Sequence, residues 1–524
     1  MDATSALDLL VDEYMVWLWT VSPVLATALG VDGHDDRVPD LTAAAFERRA
    51  VEEDAWLARF RALADGDLNP DERIDRDLAV STLRGQQLER DWAVWRRNPD
   101  TYTTPALTGV FLLFLHRDGR PEADVANAAV ARLRAVPALL AAGRANLDAT
   151  LASPVLVKRA RGQAAAGVTY ARDLVAAEVS DPALRADVAR AGAEAATAFE
   201  EFGTFLDDLA DRATGPYAIG EELYSALLRE REGLAYGARE LRERGQAAYD
   251  ELAADMARRT KEIAGHDDWR ALVEEMNADH PATPEAMRDA YAEWTERARA
   301  FCRERQLVTL PEGEHCVVEP SPPFQRPVLA VASYVTPPAF RGGGTGHFFV
   351  PYPPDGTPPD EVQKRLATNS FSSIPTISVH EAYPGHHWHL TWALRQPRPL
   401  RKVIGSTYFV EGWGLYSEEL MTEQGFYDDP RHELCQVDAR LFRAARIVVD
   451  TSLHLGEMTV EEAVTFMSTK ASLSEPTARA EVARYCAWPT QAASYLTGAL
   501  EIRRIRDRWL AEGRGTLREF HDAI

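Results

Sequence analysis

Four of the chain's 13 histidines fall between positions 380 and 389: His380, His386, His387 and His389. Glu381 directly follows the first of them. Neutral imidazole is the commonest protein ligand for zinc, and a carboxylate commonly completes the set. On a zinc-hydrolase helix, a glutamate in that place is the general base and not a ligand. One helical turn after His380, where a second histidine is expected, stands Pro384. It has no metal-binding atom and no N–H, and in a regular helix its ring clashes with the carbonyl of residue 380. Gly385 then opens conformations that other residues avoid. The helix should therefore kink or bulge at 384–385, which can turn the next histidine back onto the face of His380. That favours His386 as second ligand, with His387 as the alternative if the helix stays regular.

A third ligand is expected from "EGWGLYSEE" at 411–419. Glu411 and Glu418 are seven apart and share a helix face, so either could reach the metal while the other steadies a ligand. Trp413, Leu415 and Tyr416 mark the segment as buried, and buried carboxylates need a cation or a donor. A second His-Glu pair, in "HELCQ" at 432–436, has no further histidine and reads as a surface helix.

These residues need a scaffold, and 524 residues suggest more than one lobe. The formal net charge of −23 repels nucleic acid and anionic lipid, so neither a nucleic-acid nor a membrane partner is expected. Four scattered cysteines without a C-x-x-C pair argue against a disulfide framework and a cysteine zinc site. The apolar run "YMVWLWTVSPVLATALG" follows acidic residues with no Lys or Arg and is interrupted by Pro23. It fits neither a secretory signal nor a membrane span, and a cytoplasmic location is expected. Residues 41–263 carry helical periodicity; Phe46, Ala50, Leu57, Phe60 and Ala64, for example, share one face. Helices are expected over 70–96, 121–150, 154–178, 181–212 and 235–263.

Twelve of the 31 prolines lie between 309 and 360. That segment should be irregular, with short strands at 328–335 and 346–352. Its "RGGGTG" turn lacks the strand, helix and Lys-Ser/Thr of a phosphate loop. Helices resume at 372–395, 406–424, 430–455, 459–470, 475–486 and 488–511. The expected fold is mainly α: a large multi-helix protein with a central cleft and a small inserted β-sheet. Its parts would be a helical lobe (1–308), the Pro-rich segment (309–360) and a helical catalytic lobe (361–524).

The paired motifs, H-E-x-x-P-G-H at 380–386 and E-G-W-x-x-Y-x-E at 411–418, resemble those of the bacterial family known as domain of unknown function 885. "VSPVLATALGVDGHDDRVPDL" (21–41) and "RYCAWPTQAASYLTGALEI" (484–502) are similar to its N- and C-terminal segments, so the resemblance covers nearly the whole chain. It implies a helical zinc-metallopeptidase (gluzincin-like) fold, with His380, His386 and Glu411 as ligands and Glu381 as base. In the C-terminal segment Tyr495 is a candidate oxyanion donor, and Arg484 a candidate for a substrate carboxylate. The strand at 346–352 could add an extended peptide as a further strand, with His347 touching substrate.

The expected activity is zinc-dependent hydrolysis of amide bonds in short peptides or peptide-like small molecules, with one Zn2+ per chain. Manganese, cobalt or iron could occupy the same donors. Two histidines and a carboxylate also describe a non-haem Fe(II) oxygenase, although Glu381 would then have no task. The third reading is a catalytically silent, metal-stabilised helical scaffold.

Overall fold

The computed structural model describes residues 5–117, 119–323, 325–326, 331–342, 345–471 and 473–524. The chain forms two compact units: Met1–Gly237 with Pro338–Gly342 and Arg398–Ile404, and Ala238–Pro337 with Gly343–Pro397 and Gly405–Ile524. Composition alone places a boundary at 308. By contacts, the helices Ala238–Ala264 and Pro284–Glu304 belong with the unit that carries both histidine and glutamate motifs.

The first unit is helical. Its helices start where the sequence supplies caps: Ser5 with Asp8 and Asn69 with Glu72 form reciprocal capping boxes, and Thr42 and Asp181 accept from the first-turn amides. Leu7, Leu10, Val11 and Tyr14 follow helical spacing and pack with Leu57, Phe60 and Leu83 into one buried cluster. Glu122–Asn146 is the one helix among the described residues long and apolar enough to cross a membrane, and half of that stretch is buried inside the fold. It packs against the helices Asp100–Leu115 and Pro182–Ala210. Arg132 within it is buried and donates to the Thr27 hydroxyl (2.5 Å) and the His34 carbonyl (3.1 Å).

The second unit is also mainly helical, around a three-stranded sheet. Helix Ala238–Ala264 lies along Pro430–His454, and Gly245 lets it approach the Ile447 side chain. The sheet comprises β1 (His315–Pro320), β2 (Ser333–Val335) and β3 (Thr345–Val350), in the order β1-β3-β2. β1 runs parallel to β3, with His315 opposite Thr345, and β2 runs antiparallel, with Val335 opposite His347.

Three expectations change here. The strand expected at 328–335 is ordered as β2 only over its last three residues, and 328–330 lie outside the described residues. β1 was not anticipated, because its short "HCVVEP" run is hidden among prolines and turn residues. Finally, β3 cannot add a peptide at His347–Phe349, because β1 and β2 occupy both of its flanks there.

The helix expected at 372–395 is two helices, Ile374–Glu381 and His386–Leu394. After them come Thr407–Glu423 and, near the end, Ser494–Ala511, which cross at glycines. A Cβ on Gly412 would stand 2.6 Å from the Gly498 Cα, and one on Gly498 would overlap the Tyr408 carbonyl. Backbone cannot yield as a flexible side chain can. Gly498→Ala should therefore cost about 1–3 kcal/mol, as overpacking does, and lower the thermal midpoint. Gly162→Ala, at an exposed helical site with open space around it, is the control and should leave the midpoint level or slightly raised.

Candidate metal centre

The centre starts from the break after Glu381. The Ala382 amide closes the first helix on the Ser378 carbonyl (3.0 Å), and the Gly385 amide folds back to Val379 (3.1 Å). A Cβ at Gly385 would overlap the carbonyls of Val379 and His380, so only glycine lets the chain turn this tightly. Tyr383–Pro384 is cis. The Trp413 indole N–H donates to the Pro384 carbonyl (2.7 Å), fastening the turn to helix Thr407–Glu423. The second helix then begins directly at His386.

This turn brings His386 back beside His380. Their ring centres are 4.7 Å apart and nearly perpendicular. Glu411 Oε2 lies 3.7 Å from His380 Nε2 and 3.5 Å from His386 Nε2. One donor atom from each of the three falls within 4.8 Å of the others. A tetrahedral zinc with arms near 2.1 Å places its ligand atoms about 3.4 Å apart, so His380, His386 and Glu411 have the types and spacing to hold such an ion.

The alternatives separate by atom. Glu418 is buried behind His380, with Oε1 2.7 Å from Nδ1, which leaves Nε2 to face Glu411. Burial works against a charged His380, but hydrogen bonds with Glu411 and Glu418 outweigh it and raise the proton affinity of the ring. The same polarisation makes an imidazole a stronger donor to a metal. Gly414 makes room: a Cβ there would lie 2.7–2.8 Å from His380 Cε1 and Nε2, so the ring rests on bare helix backbone.

His387 points elsewhere and spends both nitrogens. Its Nε2 is 2.8 Å from Glu314 Oε2, and its Nδ1 is 3.0 Å from the Tyr334 hydroxyl on β2. Tyr383 and Arg299 also donate to Glu314. Burial would raise the Glu314 carboxyl, but these hydrogen bonds win and hold it down at about 2. His389 is buried against Phe409 and Trp413, and burial lowers its pKa to about 3.

Glu381 sits at the end of the first helix, half-buried. Burial raises its carboxyl against the pull of His380 and His386, and the charges of Glu411 and Glu418 push the same way as burial. Tyr495 lies over Arg446, its ring centre 4.9 Å from the guanidinium, and burial and the Glu411 charge raise its hydroxyl. Arg484 is already engaged, with Glu481 Oε2 at 2.9 Å and Gln491 also accepting from it. His347 is held by Glu319 on β1 at 2.5 Å and stacks on Phe349, outside the three-residue cluster. The "HELCQ" segment is helical but packed, not superficial: Leu434 and Gln436 are buried and His432 stands edge-on to Trp294.

The model of a bacterial protein family of unknown function, DUF885, matches residues 23–524. The chain belongs to the DUF885 family. No curated protein matches it significantly. Two solved structures share the DUF885 chain's fold over almost its whole length. One, from Shewanella oneidensis, is described as "a putative lipoprotein of unknown function"; it has 21% identity, a TM-score of 0.80, and coverage of 99% of this chain and 96% of its own. The other, from Colwellia psychrerythraea, is described as a "putative lipoprotein", with 18% identity, a TM-score of 0.83 and the same coverage. Those descriptions lend no support to the cytoplasmic placement expected above.

Sequence reasoning about this DUF885 chain missed Glu314, Tyr334 and Gly414. Glu314 and Tyr334 lie 73 and 53 residues before His387 in irregular sequence, and nothing local marks them. Gly414 had a signal, the second glycine of "EGWG", one turn from Glu411 and from Glu418. The two neighbouring histidines should now respond differently. His386→Ala should abolish zinc uptake measured by titration, with little change in thermal midpoint. His387→Ala should keep zinc but lose about 1–3 kcal/mol of stability, because Glu314 and Tyr334 are left short of partners. Glu418→Gln should weaken zinc binding about 10–100-fold without removing it.

Proposed function

We propose that this DUF885 protein is a metal-dependent hydrolase, with zinc as its resident ion, that cuts amide bonds in short peptides or peptide-like small molecules. The observation that carries the proposal is the convergence of His380, His386 and Glu411 at the spacing of a tetrahedral site. Three protein ligands leave a fourth position open, the pattern of catalytic rather than structural zinc. A zinc ion held there supplies a Lewis acid that polarises a carbonyl and acidifies water.

The remaining chemistry is assigned to the chain's own groups. Glu381 adjoins the first ligand, and its raised proton affinity suits a base that takes a proton from the attacking water and hands it to the leaving amine. Tyr495 keeps its hydroxyl proton beside Glu411 and can donate to a developing oxyanion. Glu418 and Gly414 fix the ring of His380. Two histidines astride Glu381 and a glutamate from the next long helix support a likeness to helical zinc metallopeptidases.

The test is Glu381→Gln in the zinc-loaded protein, assayed on a set of short peptides. Zinc content should be unchanged and turnover should fall about a hundredfold to ten-thousandfold, the usual contribution of a general base. Turnover that survives the substitution and requires iron and O₂ would transfer the site to an oxygenase. No turnover in the wild-type protein would favour the scaffold.

A further inference from the structure

Arginines recur every three residues along helix Pro430–His454: Arg440, Arg443 and Arg446. Two of them are neutralised. Arg440 pairs with Glu419 at 2.9 Å. Arg446 pairs with Glu481 at 2.7 Å and also donates to the Tyr485 hydroxyl. The same Glu481 serves Arg484, so one carboxylate is shared between two guanidinium groups.

Arg443 makes no ion pair among the described residues. Its Nη1 reaches the Ala439 carbonyl one turn back at 3.4 Å, and its buried Nε has no hydrogen-bond partner. Asp438 on the same helix feels its charge, but the two form no ion pair. A guanidinium carries five N–H donors, and a half-buried one is costly to leave unfilled.

The position of Arg443 gives this spare capacity a use. Its guanidinium lies 5.6 Å from the centre of the Tyr495 ring, which also has Arg446 at 4.9 Å and feels the charge of Arg484. Tyr495 stands one turn before Gly498, which crosses helix Thr407–Glu423 at Gly412, the neighbour of Glu411. Tyr495 therefore feels the charge of both the arginine pair and the metal-site carboxylate Glu411. Three guanidinium groups, Arg443, Arg446 and Arg484, act on Tyr495, and the last two share the single carboxylate of Glu481.

Resting on the hydrolase reading above, we infer that Arg443 anchors the free C-terminal carboxylate of the peptide substrate. The planar guanidinium fork matches a carboxylate with two parallel N–H donors, a fit that an amide or a neutral side chain does not offer. Cleavage is then directed to peptides that end shortly beyond the scissile amide. An acidic substrate side chain has the same chemistry as a terminal carboxylate, and the experiment distinguishes them.

The test is calorimetric binding to the full-length zinc-loaded protein. The probes are N-acetyl-alanyl-alanine, its C-terminal amide, and a dipeptide amide carrying a glutamate side chain. The free acid should bind at least about tenfold more tightly than either amide, the worth of one charge-assisted hydrogen-bond pair. Arg443→Gln should abolish that preference, and Arg443→Lys should restore part of it, both with thermal midpoints near that of the wild type. Equal binding of acid and amide, a preference that survives Arg443→Gln, or tight binding of the glutamate-bearing amide would overturn the assignment. If the preference behaves as expected and no peptide is cut, the carboxylate subsite stands and the hydrolase reading falls.

Discussion

His380 lies against the bare backbone of Gly414 with its Nδ1 held by Glu418, and the rest of the centre is arranged around that contact. The contact fixes which nitrogen faces Glu411. It also requires two helices to approach more closely than side chains allow, so the glycines of the second motif matter as much as its glutamates. Gly412 and Gly498 extend the same requirement to the next crossing, of the helices that carry Glu411 and Tyr495. A ligand ring oriented by a buried carboxylate is the usual way a protein fixes a metal-binding tautomer. Here the orienting group and the candidate ligand Glu411 come from one helix, two turns apart.

The turn at 382–385 resolves the conflict between a proline and a metal motif. Its backbone folds over the end of the first helix and restarts a second one at His386. The histidine that follows, His387, becomes a structural tie. Through Glu314 and Tyr334 it links the second helix to the segment before β1 and to β2. Adjacent residues of one type thus take opposite duties. His386 presents Nε2 to Glu411, whereas His387 has no nitrogen left to give.

Much of this was legible in the sequence, and what was missed has physical reasons. The long Ala/Leu stripes became helices close to their expected ends, because their apolar spacing and caps agree. Pro384 and Gly385 announced a break, and the pairing of His380 with His386 followed from it. Spacing alone left Glu411 and Glu418 open, since both lie on one face and the answer depends on how the His380 ring is turned; only the family resemblance named Glu411. The sheet order was also hidden. Strands of three to six residues between prolines leave little alternation to read, so β1 was overlooked and the central place of β3 went with it. Arg484 was the expected partner of a substrate carboxylate. Glu481 and Gln491, three residues before it and seven after, occupy it instead.

The central claim is that His380, His386 and Glu411 together bind one metal ion. X-ray absorption at the zinc edge of the zinc-loaded protein tests it most directly. The expected result is one tightly bound zinc per chain with two imidazoles and light oxygen donors at about 2.0–2.2 Å, and no bound zinc in His386→Ala. A spectrum with sulfur scatterers, full zinc retention by His386→Ala, or a wild-type protein that retains no zinc would contradict it.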